Sequence, residues 1–199
     1  MRRRTFDALV STGGLLMAVV LIVAGGLMIW GHSFVNGQVS GQLTAQKIVF
    51  PATGSPALKT LPPADAAAMS AYAGQLMTSG AQAQTYADQF IAVHLKEIGG
   101  GETYSQLSAE SLANPKDTAL AGQVQTVFRG ETLRGLLLNA YAFWKMGQIL
   151  LIAAICAFVA GGLMLILSAL GLAHWRRATP EAELFGKSAR CAGQQPASR

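Results

Sequence analysis

The sequence predicts an all-α membrane protein: two transmembrane helices bracketing an extracytoplasmic helical domain, with the second helix extended outward. Three observations predict it. No Asp, Glu, Lys or Arg lies between Asp7 and Lys47, nor between Lys145 and Arg176. A bilayer core of roughly 30 Å needs about 20 helical residues, and each gap supplies more than that. The segment between the gaps carries helix-period apolar positions, capping signals and no pair of alternating strands.

The expected partition is a basic N-terminus over 1–7, a first transmembrane helix over 8–30, a helical outer domain over 31–144, a second transmembrane helix over 145–174, and a disordered cytoplasmic tail over 175–199. Lipid leaves no water to satisfy backbone groups, so both spans must be helical. The first run exceeds the 7–15 apolar residues of a signal peptide, and no Ala-x-Ala follows it, so an uncleaved anchor is expected. Arg2, Arg3 and Arg4 precede the first span, and Arg176, Arg177, Lys187 and Arg190 follow the second. Lys47, Arg129, Arg134 and Lys145 are the basic residues near the other face. This bias places both termini in the cytoplasm. The outer region balances seven basic against seven acidic residues, so the net +5 belongs to the two ends. The high pI therefore speaks for orientation and lipid headgroups, and no basic patch interleaved with aromatics points to nucleic acid.

Along the outer region, Val39–Lys47 is expected to continue the first helix. "IVFPATGSPALKTLPP" is broken by Pro and Gly and reads as a linker, with Phe50 held extended by Pro51. Pro63 opens a helix running to about Met77. Gly80 separates it from a helix carrying Tyr86, Phe90, Val93 and Ile98, which "GGG" at 99–101 terminates. Thr103 and Gln106 form a capping box for a short helix through Leu112. Asn114-Pro115 is a further start signal, and helical spacing at Leu120, Val124, Val127 and Phe128 follows.

From Gly135 to Trp175 the chain is apolar for about 60 Å of helix, twice a bilayer core. Tyr141, Phe143, Trp144 and Lys145 read as an interfacial anchor of amphipathic rings and a snorkelling lysine, so the membrane is expected to begin near Lys145. Leu133, Leu136, Leu137, Ala140, Tyr141 and Trp144 fall on one stripe, expected to pack on the outer domain and couple it to the membrane. Within the spans, Ala153, Ala157 and Gly161 form a small-residue face, with Gly14 and Ala18 as a shorter one. Gly13-Gly14 and Gly161-Gly162 are expected at similar depth, where the two helices cross or a dimer forms.

The chemistry-bearing residues are few. His94 and Glu97 share a helix face, but two ligands are not a metal site. No nucleophile elbow, P-loop or H-E-x-x-H occurs. Cys156 reads as a small apolar filler, and Cys191 lies in the tail, so no disulfide ties the outer domain. No catalytic, cofactor-binding or metal-ligating residue is assigned. The expected partners are the lipid bilayer and another membrane or envelope protein, or a second copy of the chain.

"GQLTAQKIVFPATGSPAL", "FIAVHLKEIGGGETY" and "GQVQTVFRGETLRGLLLNAYAFWKMGQI" resemble segments of a family of bacterial two-pass membrane proteins of unknown function, over about residues 6–172. Members are often filed as aromatic ring-opening dioxygenases. That label implies a non-haem iron held by two histidines and a carboxylate, and here only His32 and His94 lie in the outer region. No catalytic residue is carried over. The reading expected from the residues is a non-catalytic interaction or scaffold module in the cell envelope, with a sensor-like module as the second.

Overall fold

The computed structural model describes residues 3–177. The expected tail over 175–199 lies almost wholly outside them. All regular elements among the described residues are helical: α1 (Arg3–Ala45), α2 (Pro56–Lys59), α3 (Pro63–Ser70), α4 (Gly80–Tyr86), a π-helical turn (Ala87–Ile91), α5 (Ala92–Ile98), α6 (Tyr104–Ala113) and α7 (Thr118–Arg177). Two of them, over Phe6–Ala45 and Thr118–His174, are long and apolar enough to cross a membrane. The chain divides into two compact units: the described parts of Met1–Met28 and Ala153–Arg199 form one, and Ile29–Ile152 the other.

In the first unit, α1 and α7 pack antiparallel through small residues. Ala18 and Ala154 are fully buried, and Ala157 nearly so. Gly161 sits against the turn of Ala18, Leu21 and Ile22, and Gly25 receives the ring of Phe158. Gly14 faces Ser168, and Gly171 faces Ser11. The expected crossing of Gly13-Gly14 with Gly161-Gly162 is therefore corrected: Gly14 and Gly161 meet different partners, about two turns apart along the pair, and Gly13 and Gly162 face open space. Equal distance from an assumed lipid surface ignored the register that side-chain packing sets. The small face also rotates toward Ala154, while Ala153 stays half-buried. Cys156 is exposed on the outside of α7 and fills no gap.

The second unit has a core of Val39 and Leu43 from α1, Phe50, Leu58, Leu61, Met69 and Met77 from the segment after it, Ala83, Ala87, Ile91 and Leu95 from the helix over 80–98, and Leu137 from α7. The Pro- and Gly-broken stretch is thus core-forming, which corrects its reading as a linker. Phe50 N donates to Gln75 O at 2.9 Å, Met77 N to Ile48 O at 2.8 Å, and Gly74 N to Phe50 O at 3.1 Å. These bonds clamp an isolated antiparallel bridge between Val49 and Leu76. They also explain why α3 stops at Ser70 and not near Met77: the chain must turn at Gly74, with φ +71°, to reach that pairing.

Ser79 then caps α4, its hydroxyl accepting from Gln82 N while Gln82 Oε1 accepts from Thr78 N at 2.8 Å and Ser79 N at 3.0 Å. The buried Gln82 amide also donates to Gln75 Oε1, so a side chain that would be costly to desolvate alone is bonded at both ends. Gly99–Gly101 end α5, with φ of +61° at Gly100 and +90° at Gly101, and Thr103 with Gln106 forms the capping box of α6.

Asn114 closes α6 and does not open α7. Pro115 keeps it out of the helical region, at φ −122° and ψ 64°. Asp117 takes over as cap, its Oδ1 accepting from Leu120 N at 2.9 Å. A second small cluster, Leu107 with Leu120, Val124 and Val127, seats α6 on the start of α7.

Burial pushes the Tyr86 phenol above its ordinary value of 10.0. The folded state therefore holds this proton more tightly than the unfolded chain. The stability so gained is fully present below pH 10 and is lost as pH rises through the folded value. Tyr86→Phe is expected to flatten the alkaline limb of an unfolding-versus-pH curve. An unchanged limb would assign the alkaline loss to other groups.

A candidate interaction groove

Where α1 continues beyond Phe34 and α7 arrives before Phe143, the two helices leave an open groove of about 500 Å³ in the 29–152 unit. Its floor is Val35, Val39 and Leu43 from α1 with Leu137 and Ala140 from α7. Val39, Leu43 and Leu137 are buried members of the core below, and Val35 and Ala140 are partly buried against it. The rim is apolar and open: Phe34 is 54% exposed, Leu136 63% and Phe143 51%.

Gln38 and Gln42 stand along one wall, one helical turn apart, with Gln46 in the turn just after α1 continuing the row, and Asn139 stands on the other. No charged side chain lines the groove. A helix of one turn per 3.6 residues places such a row in register for another helix laid along it.

The groove corrects the expected α7 stripe. Leu137, Ala140 and Trp144 pack on the core, joined by Leu138, while Leu133 and Leu136 point into the open groove. Apolar character alone selected the stripe; the actual contact face is rotated toward Val127, Gly130 and Arg134. Gly130 lies under Leu95, and Arg134 bridges to Asp88 of the π-helical turn at 3.1 Å and to Glu131 at 3.5 Å. Both partners of the Asp88 bridge are about one-third exposed, so it fixes orientation more than it stabilises.

The four residues of the expected interfacial anchor separate as well. Phe143 and Lys145 are exposed, whereas Trp144 is drawn into the core against Gly80 and stacks with Tyr141 at 6.2 Å. Trp30, 67% exposed and stacked on Phe34 at 5.7 Å, presents the aromatic surface on α1 that the sequence reading missed. Its signal was legible: a Trp ending an apolar run.

His32 Nδ1 engages Gly147 O at 2.8 Å, and His94 Nδ1 engages Phe90 O at 2.7 Å. Among the described residues no three His, Cys, Asp or Glu side chains come together to hold a metal ion. The described residues thus do not fit an iron site of two histidines and a carboxylate.

The chain matches no family model, and no curated protein or solved structure matches it significantly.

Proposed function

We propose that the protein is a two-pass bacterial membrane protein with both termini cytoplasmic, and that its 29–152 unit is a non-catalytic interaction module whose groove pairs with the groove of a second copy. The open, uncharged, amide-walled groove carries this reading. The membrane part is supported by the outward surfaces of the two apolar helices. Leu16, Val23 and Leu27 on α1, and Ile152, Val159, Leu163, Ile166 and Leu170 on α7, are all more than half exposed. So large an apolar surface is untenable in water and ordinary in lipid. The orientation is supported by seven basic residues near the terminal ends of the spans (Arg2, Arg3, Arg4, Arg176, Arg177, Lys187 and Arg190) against four near their other ends (Lys47, Arg129, Arg134 and Lys145).

The second copy is favoured by chemistry and by geometry. Amides donate and accept alike, so a row of glutamines and an asparagine complements itself, whereas a charged wall would repel its own copy. Two copies in one bilayer with one orientation also hold their grooves at equal height. Apolar floors meeting an apolar helix supply the affinity, in the manner of helix-in-groove recognition.

The test uses the full chain in native membranes with Cys156 and Cys191 replaced by alanine and a single cysteine at Gln42. Mild oxidation is expected to give a covalent dimer. Leu136→Glu is expected to cut its yield at least tenfold, while Leu112→Glu, at an exposed site on α6, leaves it unchanged. A monomer throughout, or adducts only to other proteins, overturns the pairing.

The sensor-like reading is favoured by one observation: α7 is a single helix from Thr118 to Arg177. A change of groove occupancy that altered the accessibility of a label near Arg176 would support it.

A further inference from the structure

At the end of the unit that contains Asp7 and His174, α1 and α7 leave a second, open cavity beside their contact, about 610 Å³ in volume. Its walls are apolar, with Phe6, Val10, Met164 and Leu167 among them. Four polar side chains also line it: Asp7, Ser11, Ser168 and His174. Ser11 and Ser168 are 5% and 6% exposed. Close packing of Gly171 on Ser11 and of Gly14 on Ser168 fixes them, because a Cβ on either glycine would strike the facing hydroxyl. Asp7 Oδ2 is buried and has no hydrogen-bond partner among the described residues.

An ionised carboxylate oxygen out of water without a donor is costly, and the usual resolution is a bound cation or donor. The Ser11 hydroxyl, four residues along α1, adds an acceptor on the same helix face. A tightly bound transition metal is poorly served, since Asp7 and His174 are the cavity's two side chains of metal-ligating type and no group of three such residues is found among those described. The apolar walls call for a ligand that also has a greasy part.

We infer that this cavity binds a primary ammonium group, with Asp7 as its counter-ion, Ser11, one helical turn along α1, as a further acceptor, and the apolar walls holding the ligand's apolar part. Its N–H donors match the carboxylate and the Ser11 hydroxyl, while Ser168, packed on Gly14 about two turns from Asp7, lines the far part of the cavity. Asp7 and His174 flank the ends of the apolar runs, so under the topology proposed above the site lies at headgroup depth in the cytoplasmic leaflet. The ammonium would then come from an aminophospholipid; a soluble amine presents the same group. The chemistry of the cavity is independent of that topology, which labelling of Cys191 from each side of the membrane checks separately.

The experiment is native mass spectrometry of the full chain from detergent, with phosphatidylethanolamine, phosphatidylglycerol or ethanolamine added. Wild type is expected to retain phosphatidylethanolamine at least tenfold better than phosphatidylglycerol. Asp7→Asn, which keeps the shape and removes the charge, is expected to abolish that preference. Ser11→Ala is expected to weaken it about threefold without altering phosphatidylglycerol binding. Retention of ethanolamine that Asp7→Asn abolishes, without a lipid preference, keeps the ammonium site and assigns it a soluble source. Equal retention of both lipids with no ethanolamine bound, or a preference that survives Asp7→Asn, overturns the site.

Discussion

Phe50→Ala is expected to destabilise the 29–152 unit by about 3–5 kcal/mol, the range for truncating a buried aromatic. The ring is 1% exposed. It meets Tyr72 at 5.3 Å and Tyr86 at 5.4 Å, the second nearly edge-on at 88°, a geometry that adds about 0.5–1.5 kcal/mol beyond burial. The cavity left behind cannot collapse easily, because the backbone is held on both sides of it: Phe50 N donates to Gln75 O, and Phe50 O accepts from Gly74 N. The upper half of the range is therefore expected. Denaturant unfolding of the full chain in detergent, followed by the fluorescence of core-packed Trp144, reads the change. Phe50→Leu keeps most of the volume and is expected to cost less than half as much. A loss below about 1 kcal/mol for Phe50→Ala would return the segment to the status of a linker, since truncating an exposed spacer residue changes stability by roughly 0.5 kcal/mol or less.

That contrast shows where the sequence was readable. The two apolar helices were evident because a run of 20 or more uncharged residues leaves few alternatives. So were the glycine stop at 99–101 and the Thr103–Gln106 box, both of which are local: a handful of neighbouring residues determines them. The Phe50 segment was not legible, because its proline and glycine punctuation is the same whether the intervening Phe50, Leu58 and Leu61 are solvated or buried. The partner that buries them, the turn at Gly74 and the pairing with Gln75 and Met77, lies 25 residues away in sequence. Asn114 misled for a related reason: cap-then-proline fits a helix end as well as a helix start, and only Asp117 three residues later decides.

The groove was hidden in a different way. Leu133 and Leu136 are as apolar as Leu137, and helical spacing groups all three. Only the rotation of α7, set by Gly130 under Leu95 and by Arg134 on Asp88, sends two of them outward. Conversely Gln38, Gln42 and Gln46 were a visible row of period four on a helix predicted to emerge from lipid. The row took on meaning once Asn139 stood opposite. The Asp7–His174 cavity was missed because the two residues mark the edges of the apolar runs and were read as boundaries.

Gly80→Ala is expected to lower stability by about 2 kcal/mol, against the usual direction for that change. Glycine to alanine inside a helix ordinarily gains up to about 1 kcal/mol, since alanine has less backbone freedom to lose. Gly80 is the first residue of α4, and an added Cβ would fall on Cβ and Cγ of Trp144. Those atoms are the root of a bulky side chain, so they give way only if α7 or α4 shifts, and overpacking of this kind costs about 1–3 kcal/mol. Because Trp144 packs on the core and stacks on Tyr141, the strain has nowhere to relax and outweighs the propensity gain. Gly41 provides the opposite case: it is exposed within α1, with nothing within 4 Å of its would-be Cβ, and Gly41→Ala is expected to be neutral or stabilising by up to about 1 kcal/mol. Unfolding of the two variants side by side, each against wild type in the same detergent, reads both signs. If Gly80→Ala were stabilising too, the contact that seats α4 on Trp144 would be absent, and with it the reason Trp144 turns inward while Phe143 is left open at the mouth of the groove.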